Sequence, residues 1–271
     1  MTGGVAVVTI VAGRREHLAR QMEGLRRQDR RADHVVIVRM DAEPLEYPED
    51  AGQRITVVDV PPESGHLRLA AARNHGVRVS DAGAVALLDV DCIPGPGLVA
   101  ACADTLKQVD GLVTGPLRYL AEDAPLSDWT EPLLREWSQQ HPARPAPAAG
   151  ELVRDDRHEL AWTTSLAFRR SSFDRIGGFD ERFTGYGGED TDFAIRARQA
   201  GLGVWWSGDA VAYHQYHPTQ SPPLTHLADI VRNSVLFREI HGWYPMQGWL
   251  DEFARRGLID FDPEAGRLLL R

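Results

Sequence analysis

The sequence contains few of the features that mark small secreted, membrane-spanning or nucleic-acid-binding proteins. It has only two cysteines, Cys92 and Cys102, which excludes a disulfide framework and a four-cysteine zinc site. No apolar run approaches the length of about 18 residues that a membrane span requires. Positive charge is also scarce, because 30 Lys and Arg stand against 39 Asp and Glu and give a formal charge of −9. A nucleic-acid binder needs a basic face for the phosphates, so this balance argues against one.

The start of the chain lacks the marks of a signal peptide. Residues Met1 to Gly4 lead directly into a β-branched run, without a basic stretch followed by an apolar core. We therefore expect a cytoplasmic protein. The length of 271 residues allows one large domain or two small ones. With 43% hydrophobic and 25% charged residues, the composition is that of a globular protein and excludes wholesale disorder.

Strand-like and helix-like segments alternate through the first third of the chain. Between the first two strand-like runs, Leu18, Met22 and Leu25 repeat at the spacing of one helix face. This alternation is typical of βαβ units, and it predicts an α/β fold with a mainly parallel sheet flanked by helices. Ligands bind such sheets at the carboxyl ends of the strands. The strand-like runs are residues 5–11, 35–38, 55–58 and 84–88.

The second half of the sequence is less regular. The segment 141–150 contains three prolines, which predicts a loop or a lid. Residues 160–168 form a candidate strand, and a helix around Phe193 is expected to end at Gly201. A final helix is predicted near Leu227, before a tail rich in Trp and Phe.

Acidic residues follow three of the predicted strands, as Asp41, Asp59 and Asp89. The last of these begins the sequence Asp89-Val90-Asp91, whose two carboxylates, two positions apart at a strand end, could share one divalent cation. The alternative is a turn, since Asp favours turns and a Pro-Gly-Pro-Gly sequence follows at once. A pair of aspartates does not by itself decide between the two.

A second acidic group, Glu189, Asp190 and Asp192, follows two glycines at the start of the Phe193 helix. Acidic residues in a first turn can simply complement the helix dipole and cap free N–H groups. Alternatively, one of these carboxylates could act as general base toward an acceptor hydroxyl. The dipole would lower the pKa of Asp190 and keep it ionised. If Asp190 only caps the helix, its loss should cost about 1 kcal/mol or less of stability.

Two further groups contain metal-ligating or anion-binding residue types. His214 and His217 lie three residues apart directly after a strand-like run, so both could reach one metal ion, or one could bind while the other packs. Arg73 and Asn74 lie near the predicted end of a helix shortly before the aspartate pair. Arg at a helix C-terminus is ordinarily structural, but it could also contact a phosphate or a nucleoside.

Taken together and in this order, these segments resemble an inverting family 2 glycosyltransferase of the GT-A fold. Residues 71–94, AARNHGVRVSDAGAVALLDVDCIP, resemble the donor and metal segment of that family. Residues 166–201, LAFRRSSFDRIGGFDERFTGYGGEDTDFAIRARQAG, resemble the acceptor-side segment of the β-1,4-galactosyltransferases and chondroitin polymerase. Residues 212–218, AYHQYHP, stand where those families have a metal-binding His. The resemblance extends over about residues 5–220.

The resemblance implies roles for individual residues. Asp91 would bind the metal ion and His214 would complete its site, with His217 as the second candidate. Asp190 would be the general base, and Glu189 would help hold sugar hydroxyls. The remaining substrate and nucleotide contacts would come from Val11, Gly13, Arg14, Asp41, Arg73, Asp89, Val90 and Gly188, with Asp41 near the uracil and Asp89 at the ribose. Apart from the resemblance, Trp162 could stack on a sugar face, although a tryptophan more often packs in a core or an interface.

The sequence departs from the family pattern at three places. Residues 10–13, Ile-Val-Ala-Gly, replace the usual Pro-Thr-Tyr-Asn, and residues 40–43, Met-Asp-Ala-Glu, replace Asp-Asp-Gly-Ser. Ser165 stands where Asn is common. These departures concern the nucleotide base and the acceptor rather than the fold.

The resemblance implies a metal-dependent reaction with Mn²⁺, or Mg²⁺ in its place. A nucleotide sugar, expected to be UDP-linked, would transfer its sugar to a hydroxyl-bearing acceptor by one displacement that inverts the anomeric centre. A divalent cation would neutralise the charge of the leaving nucleoside diphosphate, and Mn²⁺ suits a mixed carboxylate and imidazole site.

Two other functions remain open from the sequence. A sugar-1-phosphate nucleotidyltransferase also uses paired aspartates and a metal, but its first loop should be glycine-rich with Arg and Lys, whereas this loop has one glycine and no lysine. A non-catalytic carbohydrate-binding module would explain the seven tryptophans but not the carboxylates and histidines.

We expect one domain over residues 1–271. Residues 1–115 would form a nucleotide-sugar-binding half, residues 116–225 an acceptor-binding half, and residues 226–271 a helical C-terminal extension. Neither nucleic acid nor a membrane span is expected, and a homo-oligomer is compatible with the sequence.

Overall fold

The computed structural model describes residues 4–45, 47, 52–218 and 220–271. Residues Met1–Gly3 belong to the segment that lacks the marks of a signal peptide, and they lie outside the described residues. In chain order, the elements of the first half are β1 (Val5–Val11), α1 (Arg15–Arg26), β2 (His34–Arg39), β3 (Ile55–Asp59), α2 (Leu69–Val79), β4 (Ala84–Leu88), β5 (Cys92–Pro94), α3 (Leu98–Gln108), β6 (Gly111–Thr114), β7 (Leu117–Leu120), α4 (Glu131–Glu136) and β8 (Ser138–Gln140).

The second half continues with shorter strands and two 3₁₀ turns, at His158–Leu160 and Leu224–His226. Its other elements are β9 (Leu152–Asp155), β10 (Ser165–Arg169), α5 (Arg170–Ile176), α6 (Glu189–Gln199), β11 (Gly203–Ser207), β12 (Ala212–His214), α7 (Leu227–His241), α8 (Gln247–Arg255), β13 (Ile259–Asp262) and β14 (Arg267–Leu270).

Eight strands form the main sheet in the order β3-β2-β1-β4-β10-β6-β11-β9. β1 pairs in parallel with β2 and β4, β2 pairs in parallel with β3, and β6 pairs in parallel with β11. β10 runs antiparallel to both of its neighbours, and β9 runs antiparallel to β11. The predicted α/β class and the mainly parallel sheet are therefore confirmed.

Helices cover both faces of this sheet, which explains why its central strands are apolar along their whole length. β1 is buried throughout and alternates between two cores. Val8 and Ile10 face one core with residues of α2, α5 and α6, whereas Val7 and Val11 face the other with residues of α1 and α3. The face of α1 predicted from the sequence, with Leu18 at its centre, is buried in the second core.

A second sheet, in the order β5-β12-β7-β8, lies at the carboxyl end of β4. Its central strand β12 pairs antiparallel with β5 and parallel with β7. The pairing of β5 with β12 matters for function, because β5 begins one residue after Asp91 and β12 ends at His214.

Three details differ from the sequence predictions. The strand expected over residues 160–168 is shorter and begins at Ser165, because a 3₁₀ turn occupies His158–Leu160. Arg73 lies in the middle of α2 and not near its end. The C-terminal region is not purely helical, since β13 and β14 form an antiparallel pair after α8.

The C-terminal region has a small core of its own, formed by residues of α7, α8 and the β13–β14 hairpin. It is joined to α6 by a buried contact in which His241 Nε2 lies 2.9 Å from Asp192 Oδ1. The glycine-rich segment before α6 is bound to α7 as well, since Asn233 donates to the carbonyls of Gly187 at 2.8 Å and Thr184 at 3.0 Å. The extension thus supports the start of α6.

Across residues 4–45, 47, 52–218 and 220–271, no helix is both long enough and apolar enough to span a bilayer.

Candidate active site

The aspartate pair lies at the carboxyl end of β4, where the chain turns into β5. The buried side chain of Gln21, on α1, donates to the carbonyl of Asp89 at 2.7 Å and to that of Cys92 at 3.2 Å. The amide of Cys92 donates to the Asp89 carbonyl at 2.8 Å, which closes the turn. These contacts hold Asp89 and Asp91 through backbone atoms and involve neither carboxylate.

Strand pairing brings the two histidines to this turn. In the β5–β12 register His214 lies opposite Cys92, and the amide of Gln215 donates to the Asp91 carbonyl at 2.7 Å. One ligand atom each of Asp91, His214 and His217 lies within 4.8 Å of the others. His217 Nε2 is 3.4 Å from Asp91 Oδ2. The structure thus unites all three residues that the sequence proposed as metal ligands, and it does not prefer one histidine.

Two atoms of this metal cluster (Asp91, His214 and His217) are buried without a hydrogen-bond partner: Asp91 Oδ1 and His214 Nδ1. Burial lowers the pKa of His214 to about 4, so its imidazole is neutral at physiological pH. A neutral imidazole beside an unpaired carboxylate oxygen is a donor set that Mn²⁺ accepts. Unpaired buried polar atoms are costly in a folded protein. The residues present therefore fit a divalent cation.

Two cationic or titratable side chains flank the same carboxylate. Arg14 Nε lies 3.4 Å from Asp91 Oδ1, and His17 Nε2 lies 3.8 Å from it. Arg14, predicted to contact the nucleotide, has a left-handed backbone with φ 60° at the start of α1. A strained conformation of this kind is characteristic of functional sites. The sequence analysis missed His17, which lies on the polar side of α1 outside any motif.

A second group of charges, the Arg73 network, joins Asp89 to the start of α6. The buried Arg73 donates to Glu189 Oε1 at 2.8 Å and to Asp89 Oδ1 at 3.3 Å. The sequence predicted Arg73 near a helix end, either as a structural residue that complements the helix dipole or as a contact to a phosphate or nucleoside. Instead, it lies mid-helix and links two predicted site residues that are 100 positions apart in the chain.

Asp190 lies next to this network and is not itself paired with Arg73. Burial, together with the neighbouring Glu189 charge, raises the pKa of Asp190 to about 7. The sequence prediction that the helix dipole lowers this pKa was wrong. Loss of water and a like charge outweigh the backbone N–H of Thr191, which donates to Asp190 Oδ1 at 2.7 Å. A carboxylate whose pKa lies near neutrality is a competent general base.

The backbone before α6 requires glycine. Gly188 has φ 96° and Gly187 φ 92°, and a Cβ on Gly188 would lie 3.2 Å from the ring of Phe183. Gly188, a predicted substrate contact, is buried against this ring and begins the helix that carries Glu189 and Asp190.

The predicted nucleoside contacts meet at the carboxyl ends of β1 and β2. The amide of Gly13 donates to Asp41 Oδ2, which fastens the loop after Val11 to the loop after β2. Asp41 Oδ1 also accepts from the amide of Glu43 at 3.1 Å. Val90 is buried between the two site aspartates.

Aromatic side chains form a wall beside the metal cluster. Tyr119 stacks on His214 with ring centroids 4.5 Å apart, and it contacts His141 at 5.4 Å. His141 meets the edge of Trp162 at 5.1 Å. Trp162 is half-buried and donates from Nε1 to the carbonyl of Glu159 at 2.9 Å. Sequence reasoning found Trp162 but missed Tyr119 and His141, which no local motif marks.

The fold and this arrangement define the class of protein: an α/β fold of the GT-A type, with acidic and imidazole side chains gathered at the strand ends. The Glycosyl transferase family 2 model matches residues 6–177. The chain therefore belongs to glycosyl transferase family 2. A second model, the N-terminal domain of galactosyltransferase, matches residues 155–217, which include Glu189, Asp190 and His214.

Relatives identified by sequence are sugar transferases or polysaccharide synthases. The Mycobacterium tuberculosis N-acetylglucosaminyl-diphospho-decaprenol L-rhamnosyltransferase is 34% identical over 35% of this chain and 32% of its own. The Streptomyces hygroscopicus validoxylamine A glucosyltransferase is 30% identical over 50% of this chain and 36% of its own. The Escherichia coli chondroitin synthase is 26% identical over 56% and 25%. The chain thus spans a quarter to about a third of the length of these relatives.

Solved structures resemble the whole fold at low sequence identity. Residues 1–349 of Staphylococcus aureus TarS, in complex with UDP-GlcNAc, align with a TM-score of 0.59 at 12% identity, over 86% of this chain and 65% of TarS. The Pyrobaculum calidifontis mannosyltransferase PcManGT, in complex with GDP-Man and Mn²⁺, aligns with a TM-score of 0.54 at 16% identity, over 98% and 67%. These alignments show the GT-A fold. The family match favours the glycosyltransferase hypothesis over the two alternatives drawn from the sequence.

Proposed function

We propose that this chain is a metal-dependent, inverting glycosyltransferase that moves a sugar from a UDP-linked donor to an acceptor hydroxyl. The observation that carries the proposal is the Arg73 network, because it links Asp89, two residues before Asp91 of the metal cluster, to Glu189, which precedes Asp190. The metal cluster has two buried ligand atoms without a hydrogen bond among the described residues, and Asp190 has a pKa of about 7. A sugar transfer of this type needs both groups.

Asp91, His214 and His217 would hold the cation. A divalent metal bound there would neutralise the charge that develops on the leaving nucleoside diphosphate. Two structural neighbours bind Mn²⁺ in their solved structures, GalNAc-T7 together with UDP and GalNAc, and PcManGT together with GDP-Man. Mn²⁺ or Mg²⁺ is accordingly the cofactor that we propose.

Asp190 would take the proton from the attacking acceptor hydroxyl. Its raised pKa places the ionised and protonated forms near balance at neutral pH, which favours proton uptake during the attack. Arg73 would fix Asp89 for the ribose and Glu189 for sugar hydroxyls, because one guanidinium binds both carboxylates. A single displacement of this kind inverts the anomeric centre.

The proposed division of labour follows the fold. Residues 1–115 would bind the nucleotide through Val11, Gly13 and Asp41, and residues 116–225 would bind the acceptor. Residues 226–271 would position α6 through the contacts of Asn233 and His241. The acceptor would be a sugar, glycan or small molecule with a free hydroxyl.

A thermal-shift panel tests the proposal directly. UDP, GDP and dTDP are compared, each with and without Mn²⁺, because a ligand that binds only the folded state raises its stability. We expect UDP to raise the melting temperature in the presence of Mn²⁺ and not with EDTA. Incubation with UDP-sugars and Mn²⁺ should then release UDP slowly by donor hydrolysis. Equal shifts with and without Mn²⁺ would refute the metal-dependent mechanism.

A further inference from the structure

Arg144 is a buried cation that the proposed mechanism does not use. It lies in the proline-rich segment 141–150, where the sequence predicts only a loop or lid, and its side chain is 4% exposed. Nη2 donates to the hydroxyl of Thr114 at 2.5 Å. Nε and Nη1 are buried and have no hydrogen-bond partner among the residues that the structure describes. Two of the three guanidinium nitrogens therefore lack an acceptor.

Two indole rings hold this guanidinium. Its Cζ lies 4.9 Å from the ring centroid of Trp206 and 5.2 Å from that of Trp162. Cation–π contacts of this kind orient an arginine, but they do not accept its N–H groups. The indole N–H of Trp206 is also buried without a partner. The cluster therefore offers hydrogen-bond donors from two residues and a single hydroxyl acceptor, that of Thr114.

Comparison with Arg73 shows what is unusual here. Both arginines are about 5% exposed, but Arg73 has two carboxylate partners and its pKa is raised. Burial without a paired carboxylate lowers the pKa of Arg144 to about 10. A buried charge is ordinarily paired, because removing it from water is costly. Among the described residues, no carboxylate forms an ion pair with Arg144, so an anion that would neutralise its charge is missing.

Ring contacts connect the surroundings of Arg144 to the metal cluster. Trp162, which covers it, contacts His141, and the aromatic wall continues through Tyr119 to His214 of the metal cluster. The negative charge of Asp190 also acts on the guanidinium and opposes the lowering of its pKa by burial. A donor sugar and its phosphates would occupy the space between a metal at Asp91 and a base at Asp190.

We propose that Arg144 is an anion receptor of this site, whose unpaired N–H groups bind an oxyanion of the donor substrate. The oxyanion belongs to the diphosphate or to a carboxylate on the transferred sugar, as in a uronic acid. This inference rests on the proposed function, since it takes the nucleotide sugar as the ligand. A planar guanidinium between two rings suits oxyanion binding better than an ammonium group does.

Calorimetric titration of matched probes separates the two sources. Uridine and UDP differ in the diphosphate, and UDP-glucose and UDP-glucuronate differ in the carboxylate; each is titrated with Mn²⁺ into the parent chain and Arg144→Gln. The matched control is Arg154→Gln, which removes an exposed arginine that stacks on Trp205 at 6.0 Å and pairs with Asp156. We expect the control to bind all four probes like the parent.

Two results support the proposal. If Arg144→Gln weakens UDP at least tenfold and leaves uridine unchanged, the diphosphate is the anion. If UDP binding is unchanged but a preference of the parent for UDP-glucuronate over UDP-glucose disappears, the anion is the sugar carboxylate. Unchanged affinity for all probes would make Arg144 a structural residue and overturn the proposal. Failure of the parent chain to bind UDP with Mn²⁺ would instead refute the proposed function.

A second measurement tests the proposal on the parent protein, so its result does not depend on whether Arg144→Gln folds. Arg144→Lys keeps the positive charge but removes the guanidinium. The Nε–H resonance that is missing from its ¹⁵N–¹H NMR spectrum is therefore that of Arg144 in the parent protein. Inorganic pyrophosphate, or UDP-glucuronate with diamagnetic Mg²⁺, is then added to the parent. A shift of this resonance with either probe supports an anion receptor, and a resonance that neither probe moves contradicts it.

Discussion

The two charged clusters of the candidate site are built in opposite ways. In the Arg73 network every charge has a neighbour of opposite sign or a hydrogen-bond donor, and the guanidinium links β4 to α6. In the metal cluster, Asp91 Oδ1 and His214 Nδ1 are buried and form no hydrogen bond within the described part of the chain, although Arg14 Nε lies 3.4 Å from Asp91 Oδ1. The first cluster is complete without a ligand, whereas the second is complete only when a cation is added.

This difference indicates which parts of the site are organised before substrate binds. Ion pairs inside the Arg73 network hold Asp89 and Glu189 at fixed positions, which reduces the reorganisation that the reaction requires. In the metal cluster, buried ligand atoms without hydrogen bonds destabilise the folded chain. A bound cation would remove this destabilisation, which would increase the affinity for the cation. Substitutions at or next to the Arg73 network should therefore lower the rate, whereas substitutions in the metal cluster should weaken binding.

Asp91→Asn should have the largest effect, because it removes the only carboxylate of the metal cluster. We expect Mn²⁺-dependent UDP binding to be abolished while the fold is preserved, since Asn has the same shape and Asp91 is positioned through its backbone carbonyl. Calorimetry with UDP and Mn²⁺ measures the loss. Asp59→Asn is the control, because Asp59 ends the edge strand β3 of the same sheet and pairs only with Arg39 among the described residues. Equal UDP affinity in both variants would refute the metal assignment.

Asp190→Asn should reduce turnover with nucleotide and metal binding nearly unchanged. Loss of a general base typically costs about 10²–10⁴-fold in rate. UDP release from a UDP-sugar in the presence of Mn²⁺ measures the rate, and calorimetry on the same preparation measures binding. A variant with normal turnover would remove Asp190 from the mechanism.

The same variant should be more stable than the parent at high pH. The folded-state pKa of Asp190 is about 7, above its ordinary value of 3.8, so ionisation between these values destabilises the folded chain. Asn avoids this cost. Urea unfolding at pH 8 should show a gain on the order of a few kcal/mol, which shrinks toward pH 4. A loss of about 1 kcal/mol would instead support the capping interpretation.

The sequence was informative where a motif and its structural setting are local. Asp91 follows an apolar strand and His214 ends one, so both could be placed at a sheet edge from the chain alone. Their distance from each other could not be predicted, because it depends on the β5–β12 register, across 120 residues of chain. The hairpin of β13 and β14 was missed because its strands are only four residues long.

Features that depend on burial were predicted poorly. The position of Asp190 at the start of a helix suggested a lowered pKa. Burial and the charge of Glu189 raise this pKa instead, and the sequence pattern of a helix does not show how deeply a first-turn carboxylate is buried. Arg144 lies in a proline-rich segment without periodicity, and nothing in that segment predicts two indole neighbours from β11 and the 3₁₀ region. Long-range packing created both features.

His214→Ala should weaken metal binding less than Asp91→Asn does, because the carboxylate charge stays. We expect Mn²⁺ affinity to fall by about 10–100-fold, the range observed when groups that support a metal site are removed. His217→Ala is the matched variant, since its Nε2 lies 3.4 Å from Asp91 Oδ2. Mn²⁺ titrations of the two decide which imidazole matters more. If neither alters the affinity, the histidines are not ligands.

The smallest effect is expected on the pH dependence of the rate. Because Asp190 acts as a base only when ionised, the rate should fall about tenfold per pH unit well below pH 7 and level off above it. Glu189→Gln removes the like charge that raises the pKa of Asp190, so the acidic limb should move to lower pH.

Glu181→Gln is the control, because it removes an acid bound to Asn74 outside the Arg73 network. The measurement is the pH–rate profile of UDP release with saturating Mn²⁺ in all three proteins. An acidic limb at the same pH in the parent and Glu189→Gln would show that Glu189 does not influence the base, and the raised pKa would then have to come from burial alone.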